Sequence, residues 1–183
     1  MNELTPTGRV LLGLLRNRAR SGYELKAAVD RSTRFFWAAS YGQIYPELKR
    51  LEQAGMVVAR AEPQGGRKRT VYEITADGAD ALHRWLVDDS ATSFEMRDEA
   101  LLKFFFAGSL MPEEALAVVR LKRARHEERL AALRAIEDDV KEAGGFAYRT
   151  LSHGIGLQQY VVDWCREQER ELAAAAKQTK TGG

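Results

Sequence analysis

The sequence predicts a mainly α-helical fold with one small β-hairpin, divided into two domains. Apolar residues recur at the three- and four-residue spacing of helices along most of the 183 residues. Segments 56–62 and 70–75 are instead rich in Val and Thr, and a Pro-Gln-Gly-Gly turn separates them. A polar, helix-poor stretch at 88–93 follows, so we expect one domain over residues 1–90 and a second over 91–183.

The first two predicted helices are short and close together in the chain. Thr5 or Thr7 can cap the first helix. Its apolar positions are Val10, Leu11, Leu14 and Leu15. Ser21, with Glu24 three residues later, has the form of a capping box and predicts the start of the second helix. An aromatic connector at 31–39 then leads to a third helix.

The third helix, over residues 40–55, has one apolar face and one polar face. Ser40 with Gln43 has the form of another capping box, and Gly55 is a natural C-terminal stop. The apolar stripe is Ile44, Leu48 and Leu51. The other side carries Gln, Tyr, Lys and Arg, which are equipped to contact base edges and phosphates. Taken alone, this pattern favours an ordinary solvated surface helix.

The predicted hairpin changes that balance, because its tip carries the consecutive cations Arg67, Lys68 and Arg69. A hairpin directly after three short helices is a wing on a helix-turn-helix, and its cations would lie over a phosphate backbone. The alternative is a solvated basic turn. Residues 1–90 hold 14 basic and 11 acidic side chains, and residues 91–183 hold 14 and 15. The combination of hairpin, position and charge favours contact with nucleic acid.

The remaining elements are predicted to be helices. Thr75 caps a fourth helix, whose predicted buried residues are Ala79, Leu82, Trp85 and Leu86. The second domain is predicted to contain a helix over 98–110, a long helix from Pro112 to about residue 143, and a last helix over 146–176, after Gly144 and Gly145. Two long helices cannot bury two apolar faces by themselves. The leftover apolar seams therefore predict an α-helical dimerisation domain and a homodimer with two-fold symmetry.

Composition argues against several other classes of protein. With one cysteine, Cys165, no intramolecular disulfide can form and no Cys-based metal site is expected. The longest apolar run, over 10–15, is too short to span a bilayer, and we find no signal peptide, so we expect a cytoplasmic protein with no membrane partner. We predict no cofactor, no metal and no catalytic residue, since the three histidines are scattered and no nucleophile motif or phosphate loop occurs.

Three motifs occur in a specific order within about residues 8–86. They are Ser-Gly-Tyr-Glu-Leu at 21–25, Tyr-Gly-Gln-Ile-Tyr-Pro at 41–46, and Gly-Arg-Lys-Arg at 66–69. In this order and spacing they resemble the PadR family of bacterial transcriptional regulators. The long helical second domain is similar to that of the larger subgroup of the family, in which it mediates dimerisation. The resemblance implies a winged helix-turn-helix, with residues 40–53 as recognition helix and 65–69 as wing.

The resemblance also implies a function and a set of site residues. Family members bind double-stranded operator DNA as dimers, usually as repressors, and some release it when a small aromatic or drug-like effector binds near the dimer interface. The DNA-binding residues expected here are Ser40, Tyr41, Gln43, Tyr45, Pro46, Lys49, Arg50, Arg67, Lys68 and Arg69. The effector candidates are Trp37, Phe105 and Trp164. Pro46 lacks an amide donor, so we expect an irregular start to the recognition helix, although the family shares this proline.

The alternative to a dimeric repressor is a helical protein-interaction or structural module that does not bind DNA. The long helices of the second domain fit that alternative. It leaves the cations at 67–69 unexplained, which is why we favour DNA binding.

Overall fold

The computed structural model describes residues 4–64, 67–89 and 97–181, and of residues 35, 64, 67, 68 and 176–181 it describes the backbone alone. The chain divides into two compact units, Met1–Ser93 and Phe94–Gly183. The boundary predicted between residues 90 and 91 lies outside the described residues.

The described part of the first unit joins four α-helices to a three-stranded antiparallel sheet. Its elements are α1 (Pro6–Leu15), β1 (Arg20–Ser21), α2 (Gly22–Arg31), α3 (Tyr41–Gln53), β2 (Val57–Gln64), β3 (Arg67–Ile74) and α4 (Ala76–Val87), with a 3-10 turn at Thr33–Phe35. The strand order is β1-β3-β2. The mainly α-helical fold with a small hairpin is confirmed, and β1, which pairs Arg20 with Tyr72 of β3, is an addition to the prediction.

Side-chain caps begin these helices where the sequence predicts them. The hydroxyl of Thr5 accepts a hydrogen bond from the Gly8 amide at 3.0 Å and starts α1. At α2, the Glu24 amide donates to the Ser21 hydroxyl at 3.3 Å, and the Ser21 amide donates to the Glu24 carboxylate at 2.8 Å. Such reciprocal bonds satisfy amide groups that the first turn of a helix leaves without partners.

The core of the first unit is built mainly from α1, α2 and α3. Its buried members include Leu11, Leu12, Leu15, Leu25, Val29, Ile44, Leu48 and Leu51. The predicted apolar stripe of α3 is therefore confirmed. The prediction for α4 is wrong in three places, because Ala79, Trp85 and Leu86 are exposed and the buried stripe is Gly78, Ala81 and Leu82. Trp85 instead lies beneath the guanidinium of Arg9, 5.4 Å from the ring centroid.

The hairpin strands are longer than the sequence predicts. β2 continues through Pro63 to Gln64, and Gln64 pairs with Arg67 at the start of β3. A proline removes one amide donor from a strand, which is tolerated at the edge of a sheet. Because β2 is an edge strand, Pro63 does not end it. The three cations predicted at the tip are consequently the first three residues of β3.

The described part of the second unit is helical. Its elements are α5 (Glu99–Phe105), a 3-10 turn (Ala107–Ser109), α6 (Pro112–Arg134), α7 (Glu137–Ala143) and α8 (Gly145–Thr181). α6 and α8 pack against each other, and two ion pairs fix them antiparallel: Arg123 with Glu169 at 2.6 Å and Glu127 with Arg166 at 2.9 Å. The predicted pair of long helices after residue 111 is confirmed in outline.

The helix predicted from Pro112 to residue 143 is, however, broken in two. The amide of Ile136 bonds to the Leu133 carbonyl, three residues back, at 3.3 Å, so the α-helical pattern is interrupted there. α7 then starts with three acidic residues in its first turn. Carboxylates are favourable at a helix N-terminus, so this sequence favours a new start after the break.

Lys122 and Cys165 are buried in the described part of the second unit. Lys122 of α6 is 4% exposed and pairs with Asp98, which also caps α5 by accepting a bond from the Leu101 amide at 2.9 Å. Burial raises the pKa of the Asp98 carboxyl, but Lys122 and the Leu101 amide outweigh it and hold the pKa below its ordinary value. Cys165 of α8 is fully buried, and burial raises the pKa of its thiol.

Across the described ranges, no helix combines the length and the apolar character needed to cross a membrane. The same residues contain no group of three or more His, Cys, Asp or Glu side chains that could hold a metal ion.

Candidate nucleic-acid interface

The start of α3 is a network of exposed polar groups. The amide of Ser40 donates to Oε1 of Gln43 at 2.9 Å, and the Ser40 hydroxyl donates to the same oxygen at 3.1 Å. These two bonds hold the Gln43 side chain over the first turn. Oε1 is therefore occupied, and the side-chain NH₂ group is the part of Gln43 that remains to donate to a ligand.

Two tyrosines extend this surface along α3. Tyr41 and Tyr45 are 44% and 49% exposed, and their rings stack at 6.3 Å between centroids with 18° between planes. The ammonium of Lys26 lies 5.5 Å from the centroid of the Tyr41 ring, within cation–π range. Tyr45 packs on Gly22, where a Cβ atom would come within 2.6 Å of its ring. Both rings are therefore supported from beneath by α2.

Pro46 lies inside α3 without breaking it. The helix is continuous from Tyr41 to Gln53, so the irregular start expected from Pro46 is absent. Since proline has no amide hydrogen, the carbonyl of Gly42, four residues earlier, loses its usual partner. Gly42 and Pro46 are both exposed, which leaves that carbonyl free to bond to water instead. Lys49, one helical turn from Tyr45, is exposed as well.

Arg50 is engaged within the protein. Its guanidinium donates three hydrogen bonds to Glu47, with N–O distances of 2.7, 3.0 and 3.1 Å. Glu47 is only 8% exposed and also accepts a bond from the Thr5 hydroxyl at 2.7 Å. The hydrogen bonds to Glu47 raise the pKa of Arg50. The trio joins the start of α1 to α3, and the sequence pattern did not indicate Thr5 or Glu47 as part of the site.

The third expected cation of the wing is also paired. Nε and Nη2 of Arg69 donate to one oxygen of Glu62 at 3.0 and 2.7 Å, and Nη1 lies 3.5 Å from Glu24. The Glu62 hydrogen bond raises the pKa of Arg69, which is exposed enough to meet solvent. For Arg67 and Lys68, the structure gives their backbone positions at the start of β3.

An open cleft of about 640 Å³ is lined by residues of β1, α2, α3 and β3. Its lining includes Ser21, Tyr23, Glu24, Tyr45, Arg69 and Tyr72. Burial raises the pKa of the Tyr72 hydroxyl, with smaller contributions from Glu52 and Tyr45. The cleft brings together Tyr45 and Arg69, which are 24 positions apart in the chain and were predicted for the site from two different motifs. Tyr23, Glu24 and Tyr72 also line the cleft and are not among the residues predicted for the site.

The three effector candidates lie in different surroundings. Trp37, in the first unit, is exposed. In the second unit, Phe105 is 78% exposed and meets Phe106 edge to face at 5.0 Å between centroids. Trp164 is half-buried, and its ring meets Phe104 edge to face at 5.3 Å. Trp164 thus has one packed and one accessible side.

Two protein families match consecutive parts of the chain. The model of the transcriptional regulator PadR-like family matches residues 11–84, and that of the virulence activator alpha C-terminal domain matches residues 96–173. The negative transcriptional regulator PadR of Bacillus subtilis is 32% identical over 124 residues, which cover 67% of this chain and 68% of the relative. The probable transcriptional regulator Rv1176c of Mycobacterium tuberculosis is 31% identical over 179 residues, or 88% and 95% of the two chains.

Solved structures give the same result for the fold. The crystal structure of Bacillus subtilis PadR in complex with operator DNA has a TM-score of 0.83 at 27% identity, covering 90% of this chain and 96% of that one. The structure of the same protein with p-coumaric acid has a TM-score of 0.79 at 25% identity, covering 92% and 99%. The Vibrio cholerae virulence activator AphA has a TM-score of 0.72 at 25% identity, covering 93% and 99%.

Proposed function

The chain belongs to the PadR-like family of transcriptional regulators, and we propose that it is a homodimeric repressor that binds a two-fold operator and leaves it when a small aromatic effector binds. The observation that carries the DNA-binding proposal is the exposed face of α3 beside the β2–β3 wing. Tyr41, Tyr45 and Lys49 follow one another at four-residue spacing on that side, Gln43 is exposed in the first turn, and Tyr45 lines the same cleft as Arg69 of the wing.

The residues of this face are proposed to have two roles. Ser40, Tyr41, Gln43, Tyr45 and Pro46 enter the major groove with the start of α3, and the NH₂ group of Gln43 donates to base edges. The cations Lys49, Arg67, Lys68 and Arg69 contact phosphates, which fix position without reading sequence. We assign Arg50 a supporting role, because its guanidinium already binds Glu47 with three hydrogen bonds.

Repression is proposed because the Bacillus subtilis relative is named a negative regulator. The Vibrio cholerae neighbour is named a virulence activator, so the sign of regulation is a separate question from DNA binding. The sign of regulation can be tested with a reporter gene placed behind the DNA that lies upstream of the gene encoding this chain. If the protein is a repressor, reporter expression should be higher in a strain that lacks its gene than in the wild type. Lower expression in that strain would indicate activation.

The effector proposal rests on the p-coumaric acid complex of the Bacillus subtilis relative and on the accessible aromatic side chains of this chain. Trp37 in the first unit, and Phe105 and Trp164 in the second, are each proposed as a separate candidate contact for a planar aromatic ligand, since aromatic rings stack offset or edge to face. Tryptophan fluorescence titrated with p-coumaric acid and other phenolic acids provides the measurement. A ligand that quenches fluorescence and also lowers DNA affinity would support the proposal, and one that changes neither would count against it.

DNA binding itself is tested by the dependence of affinity on salt. If a dimer neutralises about six to eight phosphates, affinity falls about 10³- to 10⁴-fold between about 50 mM and about 200 mM salt, because bound counterions are released. Fluorescence anisotropy of labelled DNA from upstream of the gene that encodes this chain measures the affinity at each salt concentration. An affinity that is equal at both salt concentrations, or no binding at all, would favour the alternative of a helical protein-interaction module.

Three alanine substitutions separate the two roles. Gln43→Ala and Tyr45→Ala should weaken binding to the upstream region more than binding to random DNA. Arg67→Ala should weaken both by a similar factor, since a phosphate contact is insensitive to sequence. Equal losses on both DNAs for all three variants would remove Gln43 and Tyr45 from base readout.

A further inference from the structure

Arg69 is the wing cation whose surroundings are described, and two carboxylates hold it. Its Nε and Nη2 atoms donate to Glu62 of β2, and Nη1 faces Glu24 of α2 at 3.5 Å. We propose that Glu24 and Glu62 occupy Arg69 in place of a DNA phosphate, and that a backbone phosphate entering the cleft between α2 and β3 displaces them. This inference rests on the proposed DNA binding and names the groups that limit its affinity.

The geometry around Arg69 fits an exchange of partners. A guanidinium offers its donors as a planar fork that suits carboxylate and phosphate oxygens alike. Here a carboxylate oxygen of Glu62 takes the two donors of one edge, so a phosphate cannot use that edge until Glu62 leaves. The side chains of Arg69 and Glu62 are 35% and 48% exposed, and solvent weakens an ion pair at such a position. A strong polyanion can therefore replace Glu62.

The cleft beside Arg69 has room for the incoming group. It is open to solvent, and Tyr23, Thr70 and Tyr72, whose side chains carry hydroxyl groups, are among its lining residues. Hydroxyl groups can donate to phosphate oxygens, as they commonly do along a DNA backbone. Tyr45 of α3 closes one side of the cleft, so a phosphate bound here lies beside the proposed base-reading helix.

Glu24 and Glu62 differ in what else they do. The amide and hydroxyl of Ser21 both donate to the Glu24 carboxylate, which therefore forms part of the cap of α2. These bonds lower the pKa of Glu24, and Arg69 and Arg18 lower it further. Replacing Glu24 would disturb that helix start. Glu62 lies exposed on β2 with Arg69 as its ion-pair partner, which makes it the residue to change.

The test is a double-mutant cycle between Glu62 and Arg69, read as affinity for a fluorescein-labelled random duplex of about 30 base pairs, roughly three helical turns. Glu62→Gln should raise affinity about two- to fivefold per bound protomer, the range of an exposed ion pair. The same substitution in an Arg69→Gln background should change affinity by less than about 1.5-fold, because no guanidinium remains to be released.

Glu73→Gln is the matched control. Glu73 lies on β3 of the same hairpin and pairs with Arg60 at 3.3 Å, outside the cleft lining. The Glu73→Gln substitution removes the same charge as Glu62→Gln. Any gain in DNA affinity that it produces therefore measures general electrostatic attraction. Equal gains from Glu62→Gln and Glu73→Gln, or a Glu62→Gln gain that persists without Arg69, would overturn the exchange. A wild-type chain that binds no duplex would overturn both this inference and the proposed function, whereas wild-type binding with no coupling would overturn this inference alone.

Discussion

Gly78 is where α4 meets the backbone that precedes the wing. A Cβ atom at this position would come within 2.1 Å of the carbonyl oxygen of Met56 and 3.0 Å of the Ile74 side chain. The same carbonyl accepts a hydrogen bond from the Thr75 amide at 3.1 Å, just before α4 begins. The absence of a side chain at Gly78 therefore allows α4 to pack where it does.

We expect Gly78→Ala to lower the free energy of unfolding by about 1–3 kcal/mol or more, because backbone atoms must move to admit the methyl group. Urea unfolding followed by circular dichroism measures the change. Gly13→Ala is the control, since Gly13 is exposed within α1 and a Cβ there has no neighbour within 4 Å. That variant should be about 0.5–1 kcal/mol more stable than wild type. Similar effects from both substitutions would show that the close approach at Gly78 is unimportant.

Arg50 shows where residue-level reasoning from the sequence reaches its limit. Its position on the polar side of the predicted helix suggests a phosphate contact, whereas the folded chain leaves it half-buried against the buried Glu47. That burial depends on Thr5, 42 residues earlier, which bonds to the same carboxylate. A side chain's free or paired state is thus a property of the folded chain rather than of its helix.

At the scale of elements, His126 joins α6 to α8. Its Nδ1 atom lies 2.6 Å from Oε1 of Gln158, which accepts a hydrogen bond in the tautomer that carries the proton on Nδ1. Burial lowers the pKa of His126, the Gln158 bond partly offsets it, and Lys122 and Arg129 lower it further while Asp98 acts against them. In the folded chain the imidazole therefore resists a second proton more than it does in the unfolded chain.

This lowered pKa predicts a loss of stability in mild acid. An unfolded histidine binds a proton near its ordinary pKa of about 6.5, whereas folded His126 does so only at lower pH. The unfolding free energy should fall as pH drops from about 7.5 to about 5.5, and less so for His126→Asn. His153→Asn, at an exposed position of α8, is the control and should keep the wild-type slope. A slope unchanged in His126→Asn would contradict the assignment.

The elements that the sequence predicts well are those defined by neighbouring residues. The caps at Ser21 and Ser40 depend on partners three residues away, and the apolar stripe of α3 follows from helical spacing. β1 could not be predicted in this way, because two residues become a strand only through pairing with Tyr72 and Val71, about fifty positions later. The buried Lys122 was likewise missed, since its partner Asp98 lies 24 residues earlier, at the cap of a different helix.

At the scale of the whole molecule, the second unit exposes many apolar side chains. They are Leu102, Phe105, Phe106, Leu110, Met111, Leu121, Phe146, Leu157 and Tyr160. Large exposed apolar surfaces are unusual in monomers, and symmetric dimers cover them most often. They support the proposed homodimer.

We expect a mass of about 41 kDa, twice the 20.5 kDa of one chain, in light scattering at micromolar concentration. Phe106→Glu should shift the mass toward the monomer, because a charge cannot be buried in an apolar interface without a partner. Tyr23→Glu changes an equally exposed aromatic residue of the first unit and should leave the mass unchanged. A monomeric wild type would remove the dimer from the proposal.

Cys165 has a practical consequence for studying these equilibria. It is the single cysteine of the sequence, and its thiol is fully buried with a pKa raised by that burial. The thiolate is the form of cysteine that attacks maleimide reagents, so the native chain should stay unlabelled under mild conditions. A cysteine introduced at an exposed position outside the proposed DNA-binding face, such as Lys141, then provides one addressable site per chain for a fluorophore, and no background substitution is needed to silence the natural thiol.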